Sequence, residues 1–186
     1  MSLYFIRHGE STANRDRVFA GHWDVDLTDL GEEQAIKAVR QAKLDNIQID
    51  TIISSPLKRA YRTAELIALE LGIQPDRIVV SDYAKERSGG EKTEGVPYEV
   101  LNTMTEDQVA DFFSDGESDE SVLERARDLL EFVMSYGDKN VLVVSHAGIG
   151  MRFLSVATGV SIDFNKFKIP NAQVIKVDVE NIRNLI

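Results

Sequence analysis

The chain has 186 residues, with 31 Asp and Glu against 21 Lys and Arg, a formal net charge of −10, three histidines and no cysteine. Without cysteine there can be no disulfide, thiolate metal site or cysteine nucleophile. The negative balance argues against nucleic acid or an anionic membrane as a main partner and, at first sight, against a phosphorylated substrate.

Residues 3–6 are an apolar run ending at Arg7-His8-Gly9, which predicts a buried strand feeding a glycine turn. The run is too short for a signal-peptide core, and nowhere do 18 apolar residues run without a charge, so the expectation is a soluble cytoplasmic protein. Thr28, followed by Asp29, Glu32 and Glu33, predicts an N-cap and a helix to about residue 43. Residues 51–54 read as a strand, and Ser55-Pro56 as the N-cap and first position of a helix. That helix carries Leu57, Ala60, Tyr61, Ala64, Ile67, Ala68 and Leu71 at helical spacing and stops at Gly72.

Residues 78–80 suggest a brief strand, and 83–97, with Gly89, Gly90, Gly95 and Pro97, an irregular loop. A short helix is predicted over 104–113 and a longer one from the Ser118 cap to about residue 134. Residues 141–144 are all apolar, as in a strand buried on both faces, and lead through Ser145-His146-Ala147-Gly148 into another helix. Residues 173–179 alternate and read as a final strand. Strands alternating with helices predict a three-layer α/β/α fold with a mostly parallel central sheet, in which ligands sit at the carboxyl ends of the strands.

Four groups at or near those ends carry chemistry. Arg7-His8-Gly9-Glu10-Ser11-Thr12, with Asn14 behind it, puts an imidazole straight after a buried strand, beside a glycine that permits close backbone approach. Taken alone, His8 fits a hydrogen-bonded core residue as well as a nucleophile. Lys58, Arg59 and Arg62 crowd the first turns of a helix, where cations are disfavoured by roughly 0.3–1 kcal/mol each, so either an anionic ligand or carboxylate side chains are expected nearby. Ser145-His146-Ala147-Gly148 again ends a strand. Glu86, between Lys85 and Arg87 in the glycine-bearing loop, is by itself an ordinary exposed carboxylate.

Arg7-His8-Gly9-Glu10-Ser11, Ser55-Pro56-Leu57-Lys58-Arg59-Ala60 with Thr63-Ala64, Glu86, and Ser145-His146-Ala147-Gly148 stand in the order found in the histidine phosphatase superfamily, which includes the cofactor-dependent phosphoglycerate mutases. The stretch from Ala20 to Thr28, with Gly31 and Gln34-Ala35, and Gly116-Glu117-Ser118 with Arg125 extend the resemblance over nearly the whole chain. It implies a phosphoglycerate mutase-like fold and one domain over residues 1–186, in which 83–124 form an acid/base loop and an acidic, lid-like insertion. It also implies a metal-independent phosphomonoester hydrolase, without a cofactor, acting on a small phosphorylated metabolite, with a homodimer as a candidate assembly. His8 would attack phosphorus to form a phosphohistidine, and Arg7, Arg59 and His146 would hold the phosphoryl oxygens. Glu86 would protonate the leaving oxygen and then activate water. Lys85 and Arg87 are expected to point away from Glu86 or toward substrate. Asn14, Ser11, Gly21, His22 and Ala147 would contact substrate, with Trp23 a further candidate wall. Position 20 is Ala where related phosphatases often carry a polar residue.

The acidic stretch separates the readings within the family. Residues 93–124 hold ten carboxylates and no Lys or Arg, whereas the rest of the chain is balanced, with 21 acidic and 21 basic residues. The net charge therefore describes this segment and not the motifs. A mutase must hold a second anionic group, which this segment would repel, and its Tyr98, Val100, Leu101, Met104, Val109, Phe112 and Phe113 suggest a cover over an uncharged or modestly polar leaving group. Phosphoglycerate mutase-type transfer, phosphohistidine-phosphoprotein hydrolysis and a non-catalytic phospholigand-binding module are the alternatives.

Overall fold

The computed structural model describes residues 1–162 and 167–178. Five strands, β1 (Leu3–Arg7), β2 (Thr51–Ser54), β3 (Val79–Val80), β4 (Val141–Ser145) and β5 (Val174–Val177), form one sheet in the order β3-β2-β4-β1-β5. The first four are parallel and β5 runs antiparallel along β1. Residue 179 of the predicted last strand lies outside the described residues. The helices are α1 (Thr12–Asp16), α2 (Asp29–Leu44), α3 (Lys58–Leu71), α4 (Glu106–Phe112), α5 (Asp119–Met134) and α6 (Ala147–Thr158). None in the described residues is long and apolar enough to cross a membrane.

The period-2 geometry of the strands divides the core into two layers. Leu3 and Phe5 of β1 join Val141 and Val143 of β4 against Val122, Leu129 and Val133 of α5 and Ile149 and Phe153 of α6. Tyr4, Ile6, Leu142 and Val144 face the other way, against Val39 of α2 and Ala60, Ala64 and Ile67 of α3. All four β4 valines and leucines are fully buried, and each large apolar side chain removed from water contributes roughly 1.5–3 kcal/mol. The predicted three-layer α/β/α arrangement is the one found, and double-sided burial makes the central strand ends a stiff platform.

Local capping follows the sequence in most places. The side chains of Thr28 and Ser118 accept from the backbone N–H three residues on and start α2 and α5, and Gly72 ends α3 in the left-handed region at φ 73°. One reading is corrected. Ser55 does not cap α3: the helix begins at Lys58, and the Asp24 carboxylate, from a separate loop, accepts from the Lys58 N–H at 2.7 Å. The close backbone approach expected at Gly9 is made to α2, where a Cβ would lie 2.2 Å from the Gly31 carbonyl oxygen. The five-residue α1, closed by a reciprocal Ser11–Asn14 capping box, was not anticipated.

Candidate active site

The register of the two central strands builds the site. Arg7 of β1 pairs with Ser145 of β4, so the residues that follow, His8 and His146, emerge side by side with ring centroids 5.1 Å apart. The ladder continues on both flanks, with the His8 N–H on the Ser145 carbonyl at 3.0 Å and the Ser55 N–H on the Val144 carbonyl at 3.1 Å. A cavity of about 370 Å³ opens over these ends, at the small end of the range for ligand sites. Of the residues expected there, Arg7, His8, Ser11, Asn14, Gly21, Arg59, Glu86 and Ala147 line it. His146 is fully buried beside His8. His22 lies outside the lining and donates from Nε2 to the Glu86 carbonyl at 2.7 Å. Trp23 is also outside the lining, about half exposed, and contributes only its carbonyl, to Arg59.

The protonation of His8 follows from its partner. Nδ1 lies 2.6 Å from the Gly9 carbonyl oxygen, which can only accept, so Nδ1 carries the proton and Nε2 keeps the lone pair. Burial first, then the Arg59 and Arg7 charges, push the His8 pKa well below its ordinary 6.5. The imidazole is therefore neutral, as a nucleophile must be. Asn171 braces this arrangement: its Nδ2 donates to the His8 carbonyl at 2.8 Å, to the Gly9 carbonyl at 3.2 Å and to Asn14 Oδ1 at 3.2 Å. Thr63 adds its hydroxyl as acceptor for the Gly9 N–H at 3.1 Å.

Two arginines flank His8, Arg59 buried and Arg7 partly buried. Arg59 donates Nη1 to the Trp23 carbonyl and Nη2 to the Gly21 carbonyl, both at 2.9 Å, which tethers the 20–24 loop to α3. Arg7 donates Nη1 to the Ile169 carbonyl at 2.9 Å, and its Nε is buried without a partner. His146 Nε2 lies 2.8 Å from Ser55 Oγ, which already accepts from the Leu57 N–H. Among the described residues Nε2 is the acceptor within reach of the buried Ser55 hydroxyl hydrogen, which places the His146 proton on Nδ1, also buried and without a partner. Burial, then Arg59, His8, Arg7 and His22, hold His146 well below 6.5 as well. Arg7 Nε and His146 Nδ1 are the two unpartnered buried side-chain polar atoms among the described residues. Such a donor costs about 1–3 kcal/mol; Arg7 lines the cavity, and His146, outside the lining, lies beside His8.

Glu86 enters from the loop after β3. Its carboxylate accepts from the N–H groups of Arg87 at 2.8 Å, Gly148 at 3.1 Å and Ile149 at 3.0 Å, the last two at the start of α6. A Cβ at Gly148 would lie 2.5 Å from Glu86 Oε1, so glycine is what lets the carboxylate dock. Behind the loop, Arg125 grips Glu117 through two bonds of 3.0 and 2.7 Å and donates to the carbonyls of Tyr83, Lys85 and Glu86. Burial would raise the Glu117 pKa, but the bonds from Arg125 and the Ser88 N–H outweigh it and lower the value. Lys85 points away, to Asp82 at 2.9 Å, while Arg87 lines the cavity.

A family model described as the histidine phosphatase superfamily, branch 1, matches residues 3–186. The chain belongs to that family. Phosphoserine phosphatase 1 of Hydrogenobacter thermophilus is 35% identical over 100% of this chain and 90% of its own length. A 2,3-bisphosphoglycerate-dependent phosphoglycerate mutase of a Methylobacterium species is 43% identical, over 48% of this chain and 43% of the mutase. The α-ribazole phosphatase of Shigella flexneri superposes with a TM-score of 0.80 at 25% identity, over 96% of this chain and 90% of that one.

The sequence did not point to Asn171 or Arg152, and Thr63 stood in the resembling motif without a role. Asn171 follows Pro170 in a turn that crosses under β1, where Ala172 donates to the Arg7 carbonyl. The Pro-Asn dipeptide was its one local signal. The expected neutral wall over the leaving group is also corrected. Tyr98 and Phe113 do line the cavity, but Arg87 and Arg152 line it too, reaching in from outside the acidic stretch.

Proposed function

We propose that the protein hydrolyses a small phosphomonoester through a phosphohistidine at His8. Two buried donors without partners, Arg7 Nε and His146 Nδ1, beside a neutral imidazole carry the reading. A tetrahedral dianion would satisfy both and match the Arg7 and Arg59 charges. In the first step His8 Nε2 attacks phosphorus as the bond to the leaving oxygen breaks, and the Glu86 carboxyl group gives its proton to that oxygen. In the second, water attacks the phosphohistidine, Glu86 takes the proton, and the nitrogen–phosphorus bond breaks to return neutral His8 and inorganic phosphate. Arg7, Arg59, His146 and the Asn14 amide hold the equatorial oxygens through both steps. Ser11, as the cap of α1, and Gly21 and Ala147, through their backbones, shape the cavity, and His22 acts on Glu86 through its carbonyl.

Residues 1–186 are read as one domain, in which 83–124 supply the acid/base loop and a cover stitched to the body by Phe19–Val96, Gly95–Phe19 and Tyr98–Arg17 backbone bonds. Turnover of p-nitrophenyl phosphate after exhaustive chelation, inhibition by vanadate and an acid-labile phosphoenzyme trapped by rapid quench are expected. Absence of turnover across a broad phosphomonoester panel would leave a binding module. Exchange between 2- and 3-phosphoglycerate faster than hydrolysis would make the protein a mutase.

A further inference from the structure

We infer that Asn171 is a positioning residue for phosphoryl transfer, holding the Asn14 carboxamide with its nitrogen turned to the phosphoryl group, an assignment that rests on the hydrolase reading above. Asn14 lines the cavity over His8, whereas Asn171 lines a second cavity of about 460 Å³ that shares no residue with the first. Asn171 therefore acts on the reaction through Asn14 and not by touching the substrate.

Which way each carboxamide faces follows from neighbours that have no choice of role. The carbonyl oxygens of His8 and Gly9 can only accept. They lie 2.8 and 3.2 Å from one terminal atom of the Asn171 side chain, so that atom is the nitrogen. The same nitrogen lies 3.2 Å from Asn14, which must answer it with its oxygen. The Ser11 backbone N–H, which can only donate, meets that oxygen at 3.2 Å, and the Ser11 hydroxyl meets it at 3.1 Å. Three donors thus converge on Asn14 Oδ1 and leave its nitrogen as the end that can serve the cavity. A donor is what a phosphoryl oxygen needs there. Turned the other way, the same side chain would aim an oxygen at a dianion.

Asn171 can hold Asn14 because its own segment is pinned to the strand that carries the nucleophile. Arg7 of β1 donates Nη1 to the Ile169 carbonyl and accepts at its own carbonyl from the Ala172 N–H, both at 2.9 Å. Ile169 is buried in the core layer that holds Phe5 and Ile149. Ala172 takes φ 49°, the left-handed region that residues with a Cβ disfavour, so the contacts around it must fix the bend. A carboxamide on so fixed a segment loses little further freedom when it binds Asn14.

The test follows p-nitrophenyl phosphate hydrolysis, vanadate inhibition and urea denaturation together. Asn171→Ala should lower kcat about tenfold with KM within about twofold, and weaken vanadate binding by a similar factor, because a misaimed donor is felt most in the transition state. In the Asn14→Ala background the same substitution should cost less than about twofold, since residues that act as a unit are not additive. Asn14→Asp keeps one oxygen for Ser11 and Asn171 and turns a second toward the phosphoryl group, so it should fold as the wild type does and lose at least about 100-fold in kcat/KM. Where Asn171→Ala reduces the yield of folded protein, Asn171→Asp keeps the shape, removes the donor and should lower kcat by more than about tenfold. An equal loss from Asn171→Ala with and without Asn14 would overturn the route through Asn14. So would a lower urea midpoint with kcat and vanadate binding unchanged, which marks a purely structural role, or an Asn14→Asp variant as active as the wild type. All three outcomes leave the hydrolase reading standing. No turnover of any phosphomonoester by the wild type would overturn that reading and the positioning role with it.

Discussion

The two ends of the cavity are built differently. At the phosphoryl end, His8, Arg59 and His146 are at most 3% exposed, with His8 held by the Gly9 carbonyl just past β1 and Arg59 by the Gly21 and Trp23 carbonyls of the 20–24 loop. At the leaving-group end the walls are loop and helix residues, and the charged groups are held by carboxylates with one face in water, such as Asp119. Chemistry common to any phosphomonoester sits on the rigid platform, while the part that must suit one substrate sits where substitutions cost little stability.

The sharpest way to break that division is to remove the nucleophile. His8→Ala should lower kcat on every ester alike, by at least about 10³-fold, and abolish the trapped phosphoenzyme. Unequal loss among esters would mean that His8 also selects the substrate.

The buried imidazoles give a second test, in stability rather than rate. The folded-state pKa values of His8 and His146 lie well below 6.5. Just below pH 6.5, then, the unfolded chain binds protons that the folded chain does not. The histidine contribution is full above that pH and is lost as the pH falls, with a slope of up to about 1.4 kcal/mol per pH unit for each. Urea denaturation between about pH 5 and 7.5 measures it, and His146→Gln should remove close to half of the slope. A flat profile would show that the phosphoryl end is wetter than its burial implies.

The same division governed what the sequence revealed. The α/β alternation and the parallel sheet were legible because β1 and β4 are largely apolar runs and α3 carries its apolar residues at 3.6-residue spacing up to Gly72. The phosphoryl residues were legible because strand ends deliver them as contiguous motifs. Arg152 and Asn171 were not, since nothing in their neighbourhoods shows that a turn of α6 or the strand β5 returns them to the site. The acidic stretch misled for the same reason: ten carboxylates and no cation over residues 93–124 do not show that Arg87 and Arg152, from either side of it in sequence, line the cavity.

Arg125 is where the two ends meet. It does not itself line the cavity, yet it holds the Tyr83, Lys85 and Glu86 carbonyls and the Glu117 carboxylate. Arg125→Met should cost about 2 kcal/mol by stranding Glu117, read as a lower urea midpoint. It should also lower kcat about tenfold by loosening Glu86, with a smaller change in KM. A change in KM alone would move Arg125 from positioning the acid to shaping the leaving-group wall.

The smallest expected effect concerns the helix that carries Arg59. Lys58, Arg59 and Arg62 are neighbours in sequence, but only Arg59 falls within the buried stripe of α3. Lys58 lies 4.0 Å from Asp24, and Arg62 bonds Glu32 at 2.7 Å and Glu65 at 3.4 Å, with its side chain 44% exposed. Carboxylate side chains, and not a ligand, answer those two cations. Arg62→Gln should therefore change stability by less than about 0.5 kcal/mol and leave kcat/KM for p-nitrophenyl phosphate within twofold of wild type, whereas Arg59→Gln should lose activity along with the tether to Gly21 and Trp23. If Arg62→Gln lowered kcat/KM tenfold, the phosphoryl field would extend over the exposed flank of α3, and the boundary between the two kinds of construction would no longer follow burial.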